Sequence, residues 1–293
     1  GTAMLSQAHA RLTRQVWGLA PAAAIGYSSG ESNSLFAFDV WTDMDAMRRE
    51  IAESGLMDPE LGVEFRAVAR AWGTGSARWA MWNVLAPIAA VRAAIAGVDR
   101  VHLAIVNGAD DVVIGGDAAA CEQVVATIGR ARCRPVDYNL ACHVPEVATA
   151  FHQPWRDIHT RAVTPMPGVR YYSNGAGGAY PVSTEACAEM ITRQAETTLD
   201  FPATVRAAYA DGVRIFLEHG PGGACTQFIR EILAGQDILA VALDRRDRGV
   251  GQLFEAAAAL VAAGVPVDHE ALAARLTPPA APASRTAPAG PML

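Results

Sequence analysis

Residues 24–33, with the sequence AIGYSSGESN, constrain the fold of this chain more than any other stretch. They place Ser28 between Gly26 and Gly30, after the apolar run AAAI and before a helical pattern. A strand, a glycine-flanked turn and a helix in this order present a serine hydroxyl where the neighbouring backbones crowd together. The free N–H of Ser29 then faces an oxyanion that forms on attack. An ordinary tight turn is the alternative, but the context predicts an α/β fold with Ser28 as a nucleophile.

Composition narrows the class of protein. The 293 residues are 51% hydrophobic and 18% charged, which is typical of a folded chain with one large domain or two. A net charge of -6 argues against nucleic acid as a partner. No apolar run approaches the roughly 18 residues of a membrane span, and the start lacks a secretory cleavage site. We therefore expect a cytoplasmic protein whose five scattered cysteines are reduced thiols, with no metal site.

Periodicity divides the chain into segments. Helices are predicted at residues 5–19, in TDMDAMRREIAESG with Thr42 as N-cap, and in PELGVEFRAVARAW. VHLAIVNGADDVVIGGD predicts two strands around a turn, followed by a helix capped by Asp117 and by a strand in CRPVDYNLACH. We interpret residues 99–139 as a subdomain inserted between residues 1–98 and 140–276. The Pro/Ala-rich residues 277–293 predict a linker toward a further domain.

Four motifs resemble one family in content and order. GYSSGE resembles the G-H-S-x-G-E nucleophile motif of malonyl-CoA:acyl-carrier-protein transacylases and of the acyltransferase domains of polyketide and fatty-acid synthases. NGADDVVIGGD, VDYNLACHVPEV and FLEHGPGGACT resemble the later motifs of that family, and the second of them places His143 at the catalytic histidine. Tyr27, where most members have histidine, makes the run most similar to iterative enediyne and polyunsaturated fatty-acid synthases.

The resemblance implies a fold and a mechanism. The fold is an α/β-hydrolase-like subdomain with a small ferredoxin-like insertion; the family's first strand, with its F-P-G-Q-G motif, is not found before Ser28. Ser28 attacks an acyl-coenzyme A, and His143 acts as general base. A backbone carbonyl, expected near residues 218–222, orients His143. The phosphopantetheine thiol of an acyl carrier protein then accepts the acyl group, with no bound cofactor and with neighbouring synthase domains as partners.

The substrate-binding residues depart from the family pattern. Malonyl-transferring members grip the free carboxylate with an arginine, and the ungapped alignment puts Glu53 at that position. Arg49, on the same predicted helix face as Glu53, or Arg78, in an aromatic-rich stretch, would replace that cation. Asn107 is predicted to hold the site or the pantetheine arm, with a polar turn residue as the alternative.

Other basic residues have predicted roles outside the chemistry. Arg130, Arg132 and Arg134 alternate in GRARCRP, so an extended strand would point all three toward an acidic carrier protein. The alternative is a strand edge protected by charge. His219 occupies a position that is usually apolar in the family. We expect no direct role for it, and we expect His152 and His159 on the surface.

Two other functions remain open at this point. An α/β-hydrolase-type thioesterase would need a carboxylate partner for His143, and Asp111 and Asp137 lie between Ser28 and His143 in the chain. A carrier-docking domain without activity would fit Glu53 and Tyr27, whereas Ser28 and His143 argue for activity.

Overall fold

The computed structural model describes residues 1–276, so the predicted linker at 277–293 lies outside the described residues. Helices and strands alternate along these residues in a mixed α/β fold. The helices are α1 Thr2–Arg11, α2 Gly30–Ala37, α3 Met44–Ser54, α4 Arg66–Ala71, α5 Ile88–Ile95, α6 Ala118–Ile128, α7 Pro145–Ala148, α8 His152–His159, α9 Thr184–Glu196, α10 Phe201–Ala210, α11 Ala224–Ile232, α12 Gly251–Ala262 and α13 His269–Leu276. The strands are β1 Ala23–Ile25, β2 Trp79–Val84, β3 Val101–Val106, β4 Val112–Asp117, β5 Cys133–Pro135, β6 Arg170–Ser173, β7 Gly178–Tyr180, β8 Leu199–Asp200, β9 Ile215–Glu218 and β10 Leu239–Ala242.

The strands form three sheets. A five-stranded sheet has the order β5-β2-β4-β3-β8, in which only the β3–β8 pairing is parallel. A second sheet has the order β1-β6-β7, with β1 parallel to β6 and with Ile25 opposite Tyr172. In the third, β9 is parallel to β10. Because β1 and β6 are parallel, the residues after both strands lie at the same edge of their sheet.

The five-stranded sheet carries its own core. Apolar residues of α5 and α6 pack on it, among them Val91 and Val124, together with Trp82 from β2. The predicted strand pair and turn are present as β3 and β4, and Asp117 caps α6 by accepting hydrogen bonds from two backbone N–H groups. The predicted boundary at residue 99 cuts through this unit, because β2 and α5 precede it in sequence and belong to the same sheet and core.

Several predicted elements differ from the structure near their ends. Asp43, not Thr42, caps α3, and its carboxylate accepts from the N–H of Ala46. In PELGVEFRAVARAW only α4 is a regular helix, because Phe65 ahead of it is left-handed, with φ 52°. The first helix is α-helical over α1 and π-helical over Leu12–Val16. In CRPVDYNLACH only β5 pairs, and the residues after it run irregularly to His143.

The largest core joins the helices around β1 and β6. Leu35 and Trp41, from α2 and the loop after it, are buried with Tyr172 of β6 and with Phe201 and Val205 of α10. Both strands are therefore covered by apolar side chains, and burial of this area is the main favourable term in folding. The turn after β1 is therefore supported by packed apolar side chains.

The described residues were compared with the requirements of a membrane-spanning helix and of a metal site. Within residues 1–276, no helix has the length and apolarity that crossing a bilayer requires. The same residues contain no group of three or more His, Cys, Asp or Glu side chains arranged to hold a metal ion. The five cysteines are free thiols, and four of them are buried.

The turn between β1 and α2 is unusually tight. A Cβ atom at Gly26 would lie 2.1 Å from the backbone nitrogen of Glu31, so only glycine fits there. Ser28 has φ 52°, in the left-handed region that residues with side chains rarely adopt. The N–H of Gly30 donates to the Tyr27 carbonyl at 2.9 Å, and that of Glu31 donates to the Ser28 carbonyl at 3.0 Å. The turn thus holds Ser28 in a strained conformation at the start of α2.

The two glycines of this turn should respond differently to alanine. Gly26→Ala should lower the free energy of unfolding by about 1–3 kcal/mol, because the new methyl group must displace the backbone of α2. Gly30→Ala should change it by less than about 1 kcal/mol, since a Cβ there meets nothing within 4 Å. Urea unfolding measures both. Equal losses in the two variants would contradict this account of the turn.

Candidate active site

Ser28 and His143 meet although 115 residues separate them in sequence. Ser28 Oγ lies 3.0 Å from His143 Nε2. His143 follows the irregular segment after β5, and its N–H donates to the Ala195 carbonyl of α9 at 2.6 Å. Its φ of 62° is also left-handed. Both partners therefore sit on strained backbone that the surrounding structure holds in place, a feature common at functional sites.

A backbone carbonyl orients the imidazole, but not the one that we expected. His143 Nδ1 lies 2.8 Å from the carbonyl oxygen of Gln194 in α9, so the prediction of residues 218–222 is wrong. The proton must be on Nδ1, because a carbonyl only accepts, and Nε2 is then free to accept from Ser28. Within the described residues no carboxylate contacts His143, so neither Asp111 nor Asp137 completes a triad.

Burial decides the charge of His143. The residue is 2% exposed. Desolvation lowers the pKa of His143 to about 4, although the hydrogen bond to Gln194 acts in the opposite direction. Since the lowered pKa lies well below 7, the imidazole is neutral at physiological pH and can accept a proton.

The start of α2 offers an oxyanion donor. Ser29 is the N-cap of α2, and its N–H makes no backbone hydrogen bond among residues 1–276. The N–H of the next residue, Gly30, is already used by the Tyr27 carbonyl. The Ser29 N–H is thus a free backbone donor beside Ser28, and its role at an oxyanion stays a prediction.

Tyr27 connects the serine turn to the five-stranded sheet. Its hydroxyl donates to Asn107 Oδ1 at 2.7 Å, and Asn107 Nδ2 donates to Asp111 Oδ1 at 2.8 Å. The ring packs edge-on against Phe201 and lies beside Phe228. Burial raises the pKa of Tyr27, so the hydroxyl keeps its proton and stays a donor. Tyr27 and Asn107 both line the cavity at Ser28, where the sequence placed them.

A cavity with a volume of about 1520 Å³ extends from Ser28 and His143. Ligand pockets commonly occupy about 300–1,000 Å³, so this one has room for a long substrate. The face of α3 that lines it consists of Met44, Met47, Arg48 and Ile51. These positions share one side of a helix.

The residues predicted to meet the carboxylate of the acyl group do not line the cavity. Arg49 and Glu53 are exposed on other sides of α3, away from the stripe that lines it. Arg78 is exposed just before β2, and it does not line the cavity either. The sequence alignment identified α3 as the helix beside the site, but it did not show which side of α3 lines the cavity. Arg48 is the charged residue that α3 places there.

The other histidines differ from one another. His159 is buried, 3% exposed, and stacks on Trp155, so its predicted surface position is wrong. The pattern missed this because His159 lies on the apolar face of α8. His152 is exposed, as predicted, and pairs with Glu196 at 2.6 Å. His219 lies near Thr13 at 3.3 Å and does not contact Ser28 or His143.

The three arginines of GRARCRP do not share one strand. Arg130 and Arg132 lie in a 3₁₀ turn, and only Arg134 lies in β5, so their expected alternation is wrong. Arg130 pairs with Glu122 at 2.6 Å and lies over the ring of Trp82. Arg132 and Arg134 are exposed and have no side-chain partner among residues 1–276. Two of the three predicted docking residues therefore remain available.

Sequence reasoning missed the buried polar groups behind Ser28. Gln194 Nε2 donates to the Ser28 carbonyl at 2.8 Å. Asn174 Nδ2 donates to the Gly26 carbonyl at 2.6 Å and to Glu31 Oε1 at 2.7 Å. A signal was present in each case: Gln194 interrupts the apolar face of α9, and Asn174 directly follows strand β6. Neither signal identifies the partner.

Known proteins are similar over most of the chain. Residues 2–261 match the family model described as acyl transferase domain. One chain of the polyunsaturated fatty acid synthase of a Thraustochytrium species is 30% identical over 253 residues, which are 79% of this chain and 12% of that relative. The chain therefore spans a small part of this relative.

Two solved structures share the fold. The acyltransferase domain of an iterative polyketide synthase in enediyne biosynthesis superimposes with a TM-score of 0.70 at 23% identity, over 93% of this chain and 67% of that one. A malonyl-transacylase solved with its type II polyketide synthase acyl-carrier protein gives 0.69 at 21% identity, over 87% and 78%. With the family match, the predicted resemblance is confirmed: this chain belongs to the acyl transferase domain family, and the relative it matches is a chain of a polyunsaturated fatty acid synthase.

Proposed function

We propose that this domain moves an acyl group from coenzyme A to the phosphopantetheine thiol of an acyl carrier protein by way of an ester on Ser28. The observation that carries the proposal is the 3.0 Å contact between Ser28 Oγ and the uncharged Nε2 of His143. A serine hydroxyl becomes a nucleophile when a positioned base accepts its proton. A Ser–His pair oriented by the Gln194 carbonyl is therefore the catalytic unit.

The transfer has two halves, acylation of Ser28 and transfer of the acyl group to the pantetheine thiol. Ser28 Oγ attacks the thioester carbonyl while His143 Nε2 accepts the hydroxyl proton, and the Ser29 N–H donates to the oxyanion. The C–S bond then breaks, and His143 returns the proton to the coenzyme A thiolate. In the second half the pantetheine thiol gives its proton to His143, and its sulfur attacks the carbonyl of the Ser28 ester. The C–O bond to Ser28 then breaks, and His143 returns the proton to Ser28 Oγ. Coenzyme A and phosphopantetheine are thus substrates and not bound cofactors.

The acyl group in this proposal is malonyl, and Arg48 binds its free carboxylate. Arg48 is supported by its place on the cavity side of α3, between Met47 and Ile51. Its nearest carboxylate is Asp45 at 3.7 Å, and its side chain is 76% exposed, so it can turn toward an incoming anion. Tyr27 and Asn107, which line the same cavity, would contact the acyl group or the pantetheine arm.

The proposal includes the domain layout. The succession β2-α5-β3-β4-α6-β5 and the strand order β5-β2-β4-β3 support a ferredoxin-like unit over residues 79–135. The remaining elements, on either side of it in sequence, would form the α/β-hydrolase-like part that bears Ser28. The carrier protein, and neighbouring domains of a longer synthase chain such as that of the Thraustochytrium relative, are the partners.

Intact-protein mass after brief incubation with malonyl-CoA tests the function. The unmodified sequence should gain one malonyl group, which is lost on adding a carrier protein that bears phosphopantetheine. Ser28→Ala should gain nothing. Arg48→Ala should lose most of the malonyl adduct but keep an acetyl adduct from acetyl-CoA, since acetyl has no carboxylate to bind.

The other outcomes separate the alternatives. Release of free malonate without a carrier protein would identify a thioesterase. No adduct with either thioester would identify a docking domain without activity. An unchanged malonyl adduct in Arg48→Ala would reject the role of Arg48 and leave the role of Ser28 intact.

The edge of the five-stranded sheet at β5, which bears Arg132 and Arg134, is the proposed docking surface for the carrier protein. Arg132→Glu with Arg134→Glu should raise the KM for carrier protein by about tenfold, equivalent to about 1.4 kcal/mol, with the KM for malonyl-CoA unchanged. Arg206→Glu on α10, also exposed and without a partner in the described chain, is the matched control. Equal KM values for carrier protein in all three proteins would reject this surface.

A further inference from the structure

A carboxylate without a counter-charge lies one helical turn after Ser28. Glu31 is 3% exposed, and no arginine or histidine within residues 1–276 forms an ion pair with it. Its oxygens accept three hydrogen bonds: from Ser173 Oγ at 2.9 Å, from the Asn174 N–H at 2.7 Å and from Asn174 Nδ2 at 2.7 Å. An ionised group in such surroundings is costly to bury, and these donors offset only part of the cost.

The hydrogen bonds lead from the carboxylate to the serine turn. Asn174 Nδ2, which donates to Glu31, also donates to the Gly26 carbonyl at 2.6 Å. Gly26 is two residues before Ser28. The Ser28 carbonyl is held from the other side by the Glu31 N–H at 3.0 Å and by Gln194 Nε2 at 2.8 Å. Glu31 therefore acts on both ends of the turn, through its side chain and through its backbone.

This arrangement fixes which way the Asn174 amide points. With Nδ2 between Glu31 and Gly26, both neighbours are acceptors, while Asn174 Oδ1 is buried without a partner. A flipped amide would aim Oδ1 at two acceptors, so the Glu31 carboxylate and the Gly26 carbonyl together select the observed orientation. Loss of the carboxylate charge weakens this selection, because hydrogen bonds to an ionised group are roughly twice as strong as neutral ones.

We propose that Glu31 is a positioning residue of the transfer reaction: its carboxylate fixes Asn174, and Asn174 fixes the turn that keeps Ser28 Oγ at His143. The inference rests on the proposed acyl transfer and adds a residue that touches neither substrate nor reacting atoms. It assigns the ionised form of Glu31 to the active enzyme.

Glu31 changes its charge near neutral pH, separately from His143. Burial raises the pKa of Glu31 to about 7, while interactions with Asn174, Ser173 and the Gln194 side chain oppose this rise. The pKa of His143 is lowered to about 4, so His143 is already neutral where Glu31 titrates. Two more titratable groups lie nearby, Tyr180 and its partner Cys187. Burial raises the pKa of both, so they stay uncharged.

Activity and stability should then change in opposite directions. A carboxyl group with a raised pKa in the folded state binds its proton more tightly there than in the unfolded chain. Its contribution to stability is full below the unfolded pKa and is lost as pH rises through about 7. Transfer, which needs the ionised form, should increase over the same interval. A residue with only a structural role would make activity follow stability.

The test measures kcat/KM for malonyl transfer between pH 5.5 and 8.5, with urea unfolding at each pH. The unmodified protein should show an inflection near pH 7, within this range, whereas the lowered pKa of His143 lies below it. Glu31→Gln, which keeps the shape of the protonated acid, should be about tenfold slower at pH 8, flat across this range, and at least as stable. Glu189→Gln, which removes a surface carboxylate 3.2 Å from Arg156, is the matched control and should keep the inflection.

The remaining outcomes are distinguishable. An unmodified protein that forms no ester on Ser28 at pH 8 rejects the proposed function itself. Normal transfer with an unchanged profile in Glu31→Gln rejects the role of Glu31 alone. Should Glu31→Gln fail to fold, the profile of the unmodified protein and of Asn174→Ala decides: Asn174→Ala should lose the inflection, and retention of it would overturn the inference.

Discussion

The close approach of α2 to Gly26 is the contact on which the site depends. Because a Cβ at Gly26 would lie 2.1 Å from the Glu31 nitrogen, the chain can turn from β1 into α2 only through glycine. That turn puts Ser28 in the left-handed region, exposes the Ser29 N–H at the start of α2 and buries Glu31 one turn later. The left-handed Ser28, the free Ser29 N–H and the buried Glu31 thus follow from one steric constraint.

In the proposed transfer, burial sets the protonation state of His143 without a charged partner. A carboxylate beside His143 would raise its pKa and favour the imidazolium. The Gln194 carbonyl fixes the same tautomer without a full charge, and burial keeps the ring neutral. Since α9 supplies that carbonyl and also the Gln194 amide on the Ser28 carbonyl, one residue sets both members of the pair. The distance between them therefore depends on the packing of α9, not on long-range electrostatics.

Local patterns made much of this site predictable. The tight turn at Ser28, the start of α2 after Ser29 and, outside the site, the cap Asp117 were predictable because they depend on residues within a few positions, as in glycine turns and helix caps. Gln194 and Asn174 were not found, because their partners lie far away in sequence and any buried amide looks alike. The wrong assignment of Arg49 and Glu53 has another cause. A sequence alignment identifies positions on α3, but it does not show which side of this helix faces the cavity. The packing of Met44, Met47 and Ile51 decides that side. The boundary at residue 99 failed since β2 joins its sheet only through pairing with β4 and β5.

The strain at Ser28 and the buried charge at Glu31 are two aspects of one arrangement. A left-handed serine persists only where the surrounding structure opposes its relaxation. Here the opposing contacts are hydrogen bonds to the Gly26 and Ser28 carbonyls, and one of them comes from an amide held by Glu31. A neutral residue at position 31 would remove a desolvation cost and release that amide. Such a variant would be more stable, but in the proposed reaction its Ser28 would be held less firmly at His143. Stability and activity commonly oppose each other in this way in enzymes.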